Sequence, residues 1–181
     1  MTRKQISRAH VLLFGVVFGF ACADRRESGS GPDSGSAPGN RQPVEEFSFE
    51  GEAASGSGTV MTRSNASGAR TRWLHAGESA SWSFTALAAG DYTLTARYSN
   101  DGGPALESVQ LLLDGGPAGA FDAENTRDSG AAPGTGWNVF FTTPDLGVVN
   151  VLEGTQNLEV DVTGGDGFGL EIDWVKLSLT N

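Results

Sequence analysis

The segment Tyr92-Thr93-Leu94-Thr95-Ala96-Arg97-Tyr98 places an apolar side chain at every second residue. Period-two alternation of this kind builds a strand with one buried face and is incompatible with an amphipathic helix. Leu158, Val160 and Val162 repeat the pattern against Glu159, Asp161 and Thr163, and Ser81-Trp82-Ser83-Phe84 repeats it in short form. Further strands are expected over 109–113, 137–143, 147–152 and 170–179. Turn signals separate them: Ala89-Gly90-Asp91, Asp114-Gly115-Gly116-Pro117 and Glu153-Gly154-Thr155. No stretch of a dozen residues carries a strong 3.6-residue period. Nine to eleven short strands in one domain predict an all-β antiparallel sandwich. Trp82 and Trp174 lie on alternating strands and are expected in its core.

The run 170–179 changes parity. Leu170 and Ile172 fall on one phase and Val175, Leu177 and Leu179 on the other. Either both faces are covered there, or a β-bulge sits near Asp173-Trp174.

The N-terminus reads as a targeting signal, residues 1–21. Arg3, Lys4 and Arg8 precede an uncharged apolar run over 11–21, VLLFGVVFGFA. Eleven residues are too few to span a bilayer, which takes about 20, and they fit a signal-peptide core. Two cleavage readings stand. Ala21-Cys22 can end a lipobox and leave Cys22 as a lipidated first residue, or Ala21-Cys22-Ala23 can act as an A-x-A site. Lipidation is favoured, because Cys22 is the only cysteine, sits at the end of the apolar run and excludes a disulfide. Residues 22–43 then form a tether: SGSGPDSGSAPGNRQP over 28–43 has no large apolar residue and cannot make a core. The folded domain is expected over 44–181. The chain is thus expected to be exported and membrane-anchored, with simple secretion as the alternative.

Removing Arg3, Lys4 and Arg8 from the twelve basic residues leaves nine against 22 acids, a net charge of −13. Such a surface repels nucleic acid and anionic headgroups and suits a divalent cation. Only His75 lies beyond the signal segment, so His-rich zinc sites are excluded. No G-x-S-x-G elbow and no phosphate-binding glycine motif is present. Gly164-Gly165-Asp166-Gly167-Phe168-Gly169 follows one strand and precedes another, and is read as a hairpin loop. A paired-carboxylate hydrolase is arithmetically open, but no spacing singles out a pair.

Glu50 and Glu52 flank Gly51. On a strand they share one face, which is unfavourable unless the pair is solvated or bridged by a cation. Calcium takes six to eight oxygen ligands, and a third carboxylate brought near by the fold, with Asp173 the candidate, would complete a site. The alternative is an exposed acidic edge.

Several motifs occur in order from about residue 47 to 179. They are Glu50-Gly51-Glu52; Ala66-Ser67-Gly68-Ala69-Arg70; a segment from Gly77-Glu78-Ser79 through Phe84; and Ala88-Ala89-Gly90-Asp91-Tyr92 through Arg97-Tyr98-Ser99-Asn100. Leu113-Asp114-Gly115, Gly136-Trp137, Gly154 to Leu158, and Glu171-Ile172-Asp173-Trp174-Val175 complete the set. The ordered set resembles carbohydrate-binding modules of families 6 and 35, which have a galactose-binding-like jelly-roll fold. The segment from Gly77 through Tyr98 corresponds to a hairpin in that pattern. The resemblance implies a structural calcium bound by Glu50, Glu52 and Asp173 that pins the first strand to the last. It also implies a non-catalytic domain, expected to be monomeric, that binds polysaccharide or oligosaccharide in loops at one end of the sandwich.

The implied sugar-contacting positions are Trp137, Asn100, Trp73, Arg70 and Phe168; packing under its loop is the alternative for Trp137, a core place for Trp73, and closing the hairpin for Phe168. Where many members carry an Asn before I-D, this chain has Glu171, which can accept hydroxyl hydrogen bonds but disfavours acidic sugars. Thr71 falls near the usual early-loop aromatic. Besides the glycan-binding reading, a structural or protein-interaction sandwich without glycan binding stays open.

Overall fold

The computed structural model describes residues 41–101, 106–127, 131–132 and 134–180. The signal segment, Cys22 and most of the expected tether lie outside these residues. Among them are twelve strands and two single-turn 3-10 segments, with no α-helix.

Seven strands build one antiparallel sheet. Its central strand β12 (Leu170–Leu179) is flanked on one side by β6 (Gly90–Ser99). On the other side β4 (Arg70–Leu74) pairs with its first residues and β1 (Glu46–Glu50) with the rest. β3 (Thr59–Thr62) extends the sheet beyond β4, and β9 (Phe141–Thr142) and β10 (Val148–Val151) border β6. The second sheet is β2 (Ser55–Gly56), β5 (Ser79–Ala86), β11 (Gly154–Gly164), β7 (Glu107–Leu113) and β8 (Gly116–Ala123), in that order.

The alternating residues meet between the sheets. Tyr92, Leu94, Ala96 and Tyr98 of β6 and Leu158, Val160 and Val162 of β11 are all buried in one core, with Leu74, Leu111, Ile172, Val175 and Leu177. Full burial of one such large apolar side chain contributes about 1.5–3 kcal/mol. Aromatic rings fill one part of this core. Phe47, Phe49, Phe84, Trp82 and Tyr92 contact one another at centroid separations of 4.8–6.4 Å. The two polar tips in that cluster are satisfied locally: Trp82 Nε1 donates to the Glu50 carbonyl at 2.8 Å and Tyr92 Oη to the Val44 carbonyl at 2.8 Å.

The parity change in the last strand is a bulge. The register of β12 against β6 shifts between Ile172 and Trp174. The extra residue keeps Ile172 and Val175 both in the core, and it leaves Trp174 half-buried with Lys176 Nζ 5.1 Å from its ring. Trp174 is therefore not a core residue, unlike Trp82.

Three local expectations change. Residues 137–143 form a loop in which only Phe141–Thr142 is a strand. Residues 164–169 do not close a hairpin, because β11 and β12 belong to different sheets and this loop crosses between layers. The step from β5 to β6 is likewise a crossing between sheets rather than a hairpin.

Candidate functional site

Alternation along β4 sends Leu74 into the core and Thr71 and Trp73 to the opposite face of the seven-stranded sheet. Glu171 of β12 lies directly between Trp73 and Ser99 in the ladder. Glu171 is 0% exposed. Arg63, just past β3, grips it from the side: Nε lies 3.0 and 2.9 Å from the two carboxylate oxygens, and Nη2 makes a further contact. Thr71 Oγ1 donates to the same carboxylate at 2.8 Å. Both oxygens are thus occupied, so Glu171 does not present a free carboxylate to a sugar. Its negative charge is matched by Arg63, which weakens the sequence-based reason for disfavouring acidic sugars.

Trp137 stands beside this pair. Its ring lies 6.0 Å from that of Trp73, edge to face, and 5.9 Å from the Arg63 guanidinium carbon. The loop that carries it is held at Gly136. The Gly136 N–H donates to Asp101 Oδ2 at 2.7 Å, and its carbonyl accepts from Ser99 Oγ at 3.1 Å. Asp101 is buried and pairs through its other oxygen with Arg127 at 3.2 Å. A side chain at 136 would press on the Arg127 backbone, so glycine lets the loop lie this close. Asn65 Nδ2 donates to the Asn138 carbonyl at 2.9 Å and ties the loop before β4 to the Trp137 loop.

The layer-crossing loop forms the third side. Trp73 Nε1 donates to the Phe168 carbonyl at 2.9 Å, and Phe168 is 58% exposed. His75 packs its ring 4.6 Å from Trp73 and sets Nδ1 3.2 Å from the Gly167 carbonyl. Trp137 therefore touches both Arg63 and Trp73, and Trp73 in turn contacts His75 and the Phe168 carbonyl.

Two of the expected sugar contacts are not brought here. Asn100 is 1% exposed, and its side-chain amide donates to the Ala123 carbonyl at 2.7 Å. It braces the chain where β6 leaves the sheet and does not face outward. Arg70 opens β4 with the opposite parity to Trp73 and points to the other face. Arg63 and His75 were missed in the sequence. Arg63 lies 108 residues from its partner, with no spacing to link them.

Glu50 and Asp173 are linked by a different route from the one expected, with Glu52 in the adjoining turn. Glu50 ends β1, but Glu52 lies in the 3-10 turn Gly51–Ala53, so the two do not share a strand face. Any side chain at Gly51 would overlap the Ile172 carbonyl. Glycine lets this turn close against β12, where Asp173 sits in the bulge. Ser67 joins the groups: its Oγ donates to Glu50 Oε1 at 3.1 Å and its N–H to Asp173 Oδ1 at 2.8 Å. The other Asp173 oxygen pairs with Arg97. Burial raises the Asp173 carboxyl above its usual range, and Arg97 opposes that rise. Glu50 Oε2 and Glu52 Oε2 are both buried with no hydrogen-bond partner. Orphaned hard oxygens of this kind fit a calcium ion. Among the described residues, no three His, Cys, Asp or Glu side chains are grouped tightly enough to hold a metal by themselves. Backbone carbonyls or water would have to supply further ligands.

A separate cleft of about 490 Å³ is lined by Tyr98, Phe121, Asp122, Glu124, Phe140 and Phe141. It contains none of the expected sugar-contacting or metal-ligating residues.

No family model matches the chain, and no curated protein matches it. Solved structures do. A family 35 carbohydrate-binding module from Clostridium thermocellum superposes with a TM-score of 0.60 at 18% identity, over 76% of this chain and 100% of that one. A family 35 module from Cellvibrio japonicus gives 0.57 at 21% identity, over 75% and 94%. An exo-β-1,3-galactanase from Phanerochaete chrysosporium gives 0.56 at 17% identity, and this chain spans only 29% of its length. The fold is the galactose-binding-like β-sandwich of the family 35 modules.

Proposed function

We propose that this chain is a non-catalytic carbohydrate-binding module, exported and held at a membrane by a lipid on Cys22. The observation that carries the reading is the edge-to-face Trp73–Trp137 pair, with Trp73 on β4 and Trp137 on a loop stapled through Gly136 to Asp101 and Ser99. Sugar rings present C–H groups on their faces and hydroxyls on their edges. Indoles stack on the first, and fixed polar groups meet the second. The charged pair at the centre of the platform is spent on itself, which suits binding rather than acid–base chemistry.

Support for a glycan ligand comes from the fold, since the similar modules are described as carbohydrate-binding. Support for export and anchoring comes from residues 1–43 of the sequence. The domain over 44–181 works as a monomer in this reading, with polysaccharide or oligosaccharide as its partner and no nucleic acid. Calcium at Glu50 and Glu52, beside Asp173, is the proposed structural ion. Bound there, it would neutralise the two orphaned carboxylate oxygens and join the first strand to the last.

A glycan-array screen of the purified chain and of Trp137→Ala tests the reading. Glycan signals that vanish in Trp137→Ala support it. An array without any signal for the wild type favours an interaction or structural sandwich instead.

A further inference from the structure

Glu107, the first residue of β7, is 0% exposed. Its Oε1 accepts the N–H of Gly169 at 3.1 Å and the N–H of Asp166 at 3.4 Å. Asp166, in the layer-crossing loop, uses Oδ1 to accept the Phe168 N–H at 3.0 Å. Each side chain keeps its second oxygen, Glu107 Oε2 and Asp166 Oδ2, buried and without a hydrogen-bond partner. Neither residue is among Glu50, Glu52 and Asp173. Two carboxylates 59 residues apart in sequence thus converge with orphaned oxygens.

Like charges brought together out of water oppose each other. Burial, reinforced by Asp166, pushes the Glu107 carboxyl above its usual range. A proton held between the two oxygens would cancel one charge and leave the other buried. A divalent ion cancels both and gives each oxygen a partner. Both side chains offer carboxylate oxygens, and a hard oxygen donor set selects calcium or magnesium over softer metals. Calcium is the better match, because its flexible coordination tolerates two protein carboxylates completed by backbone carbonyls and water, and no third His, Cys, Asp or Glu joins them among the described residues.

We propose that Glu107 and Asp166 form a second calcium site, at the loop whose Phe168 carbonyl receives the Trp73 indole N–H. This goes beyond the glycan-binding reading and does not depend on it.

The test is calcium titrated by calorimetry into the chelator-stripped full chain, with calcium alone as probe. Glu52→Gln disables the other candidate site. In that background the proposal expects one equivalent of calcium bound, and adding Asp166→Asn should weaken that binding at least tenfold. Asp166 is half-exposed, so Asp166→Asn is the variant of choice where Glu107→Gln fails to fold. If Glu52→Gln itself does not fold, the wild type and Asp166→Asn are compared, and the stoichiometry should fall by one. No calcium uptake by folded Glu52→Gln, or uptake unchanged by Asp166→Asn, overturns the proposal. So does a titration in which the pair only exchanges a proton with pH and shows no response to calcium.

Discussion

Arg63 and Glu171, 108 residues apart, close a forked ion pair beside the Trp137 ring, with only the arginine in reach of solvent. The asymmetry in exposure makes the two partners unequal. Arg63→Met leaves a carboxylate buried with Thr71 alone, and stranding a buried charge costs about 3–5 kcal/mol. Glu171→Gln leaves a guanidinium that can turn to water, so it should cost clearly less. Arg63→Met/Glu171→Met should recover most of the loss, because buried ion pairs replaced by apolar side chains are often close to neutral. Urea unfolding of the three variants measures this. A Glu171→Gln variant less stable than Arg63→Met would refute the account of the pair.

The buried oxygens of Glu50 and Glu52 lead to a prediction on metal removal. A ligand held at 100 times its Kd stabilises the folded state by about 2.7 kcal/mol, worth roughly 5–10 °C for a domain of this size. Chelation should lower the melting temperature of the wild type by an amount of that order. Glu52→Gln should melt lower in calcium and lose less on chelation. A wild-type melting temperature indifferent to chelator rules out a stabilising ion at this position.

The chain has only two tyrosines, and burial raises both Tyr92 and Tyr98 above the usual value, which is about 10. Folding therefore disfavours their ionised form. Their contribution to stability is intact below pH 10 and is lost as pH climbs through their raised folded-state values, because the unfolded chain releases those protons first. Absorbance at tyrosinate wavelengths should stay flat through the ordinary tyrosine range and rise only at higher pH, together with unfolding. A full tyrosinate signal near pH 10 from still-folded protein would contradict the buried placement of both rings.

The strand faces were legible in the sequence because a period of two reports directly which residues turn inward. Tyr92 through Tyr98 and Leu158 through Val162 are buried as the alternation requires, and the parity break at Asp173 marks a real bulge. Alternation does not say which sheet a strand joins. The link at residues 164–169 therefore reads as a hairpin, as the resemblance implies for the link at 87–89, although both cross between layers. Trp174 was misplaced for a related reason, since one inserted residue reverses the face of its neighbour. The aromatic members of the site, Trp73, Trp137 and Phe168, were visible as residues. Their polar surroundings were not. Arg63–Glu171 and Asp101–Arg127 are long-range pairs with no local spacing signal, and Asn100 looks like a loop residue until the Ala123 carbonyl is seen to take its amide.

Binding of a glycan at the indole platform is the central claim. Its most direct measurement is calorimetric titration of the strongest array oligosaccharide into wild type and Trp137→Ala, with urea unfolding as the control for folding. The account predicts an affinity at least tenfold weaker for Trp137→Ala, about 1.4 kcal/mol, with stability close to wild type because Trp137 is only half-buried on its loop. Equal affinity in the two proteins, or a loss that merely follows unfolding, would contradict it.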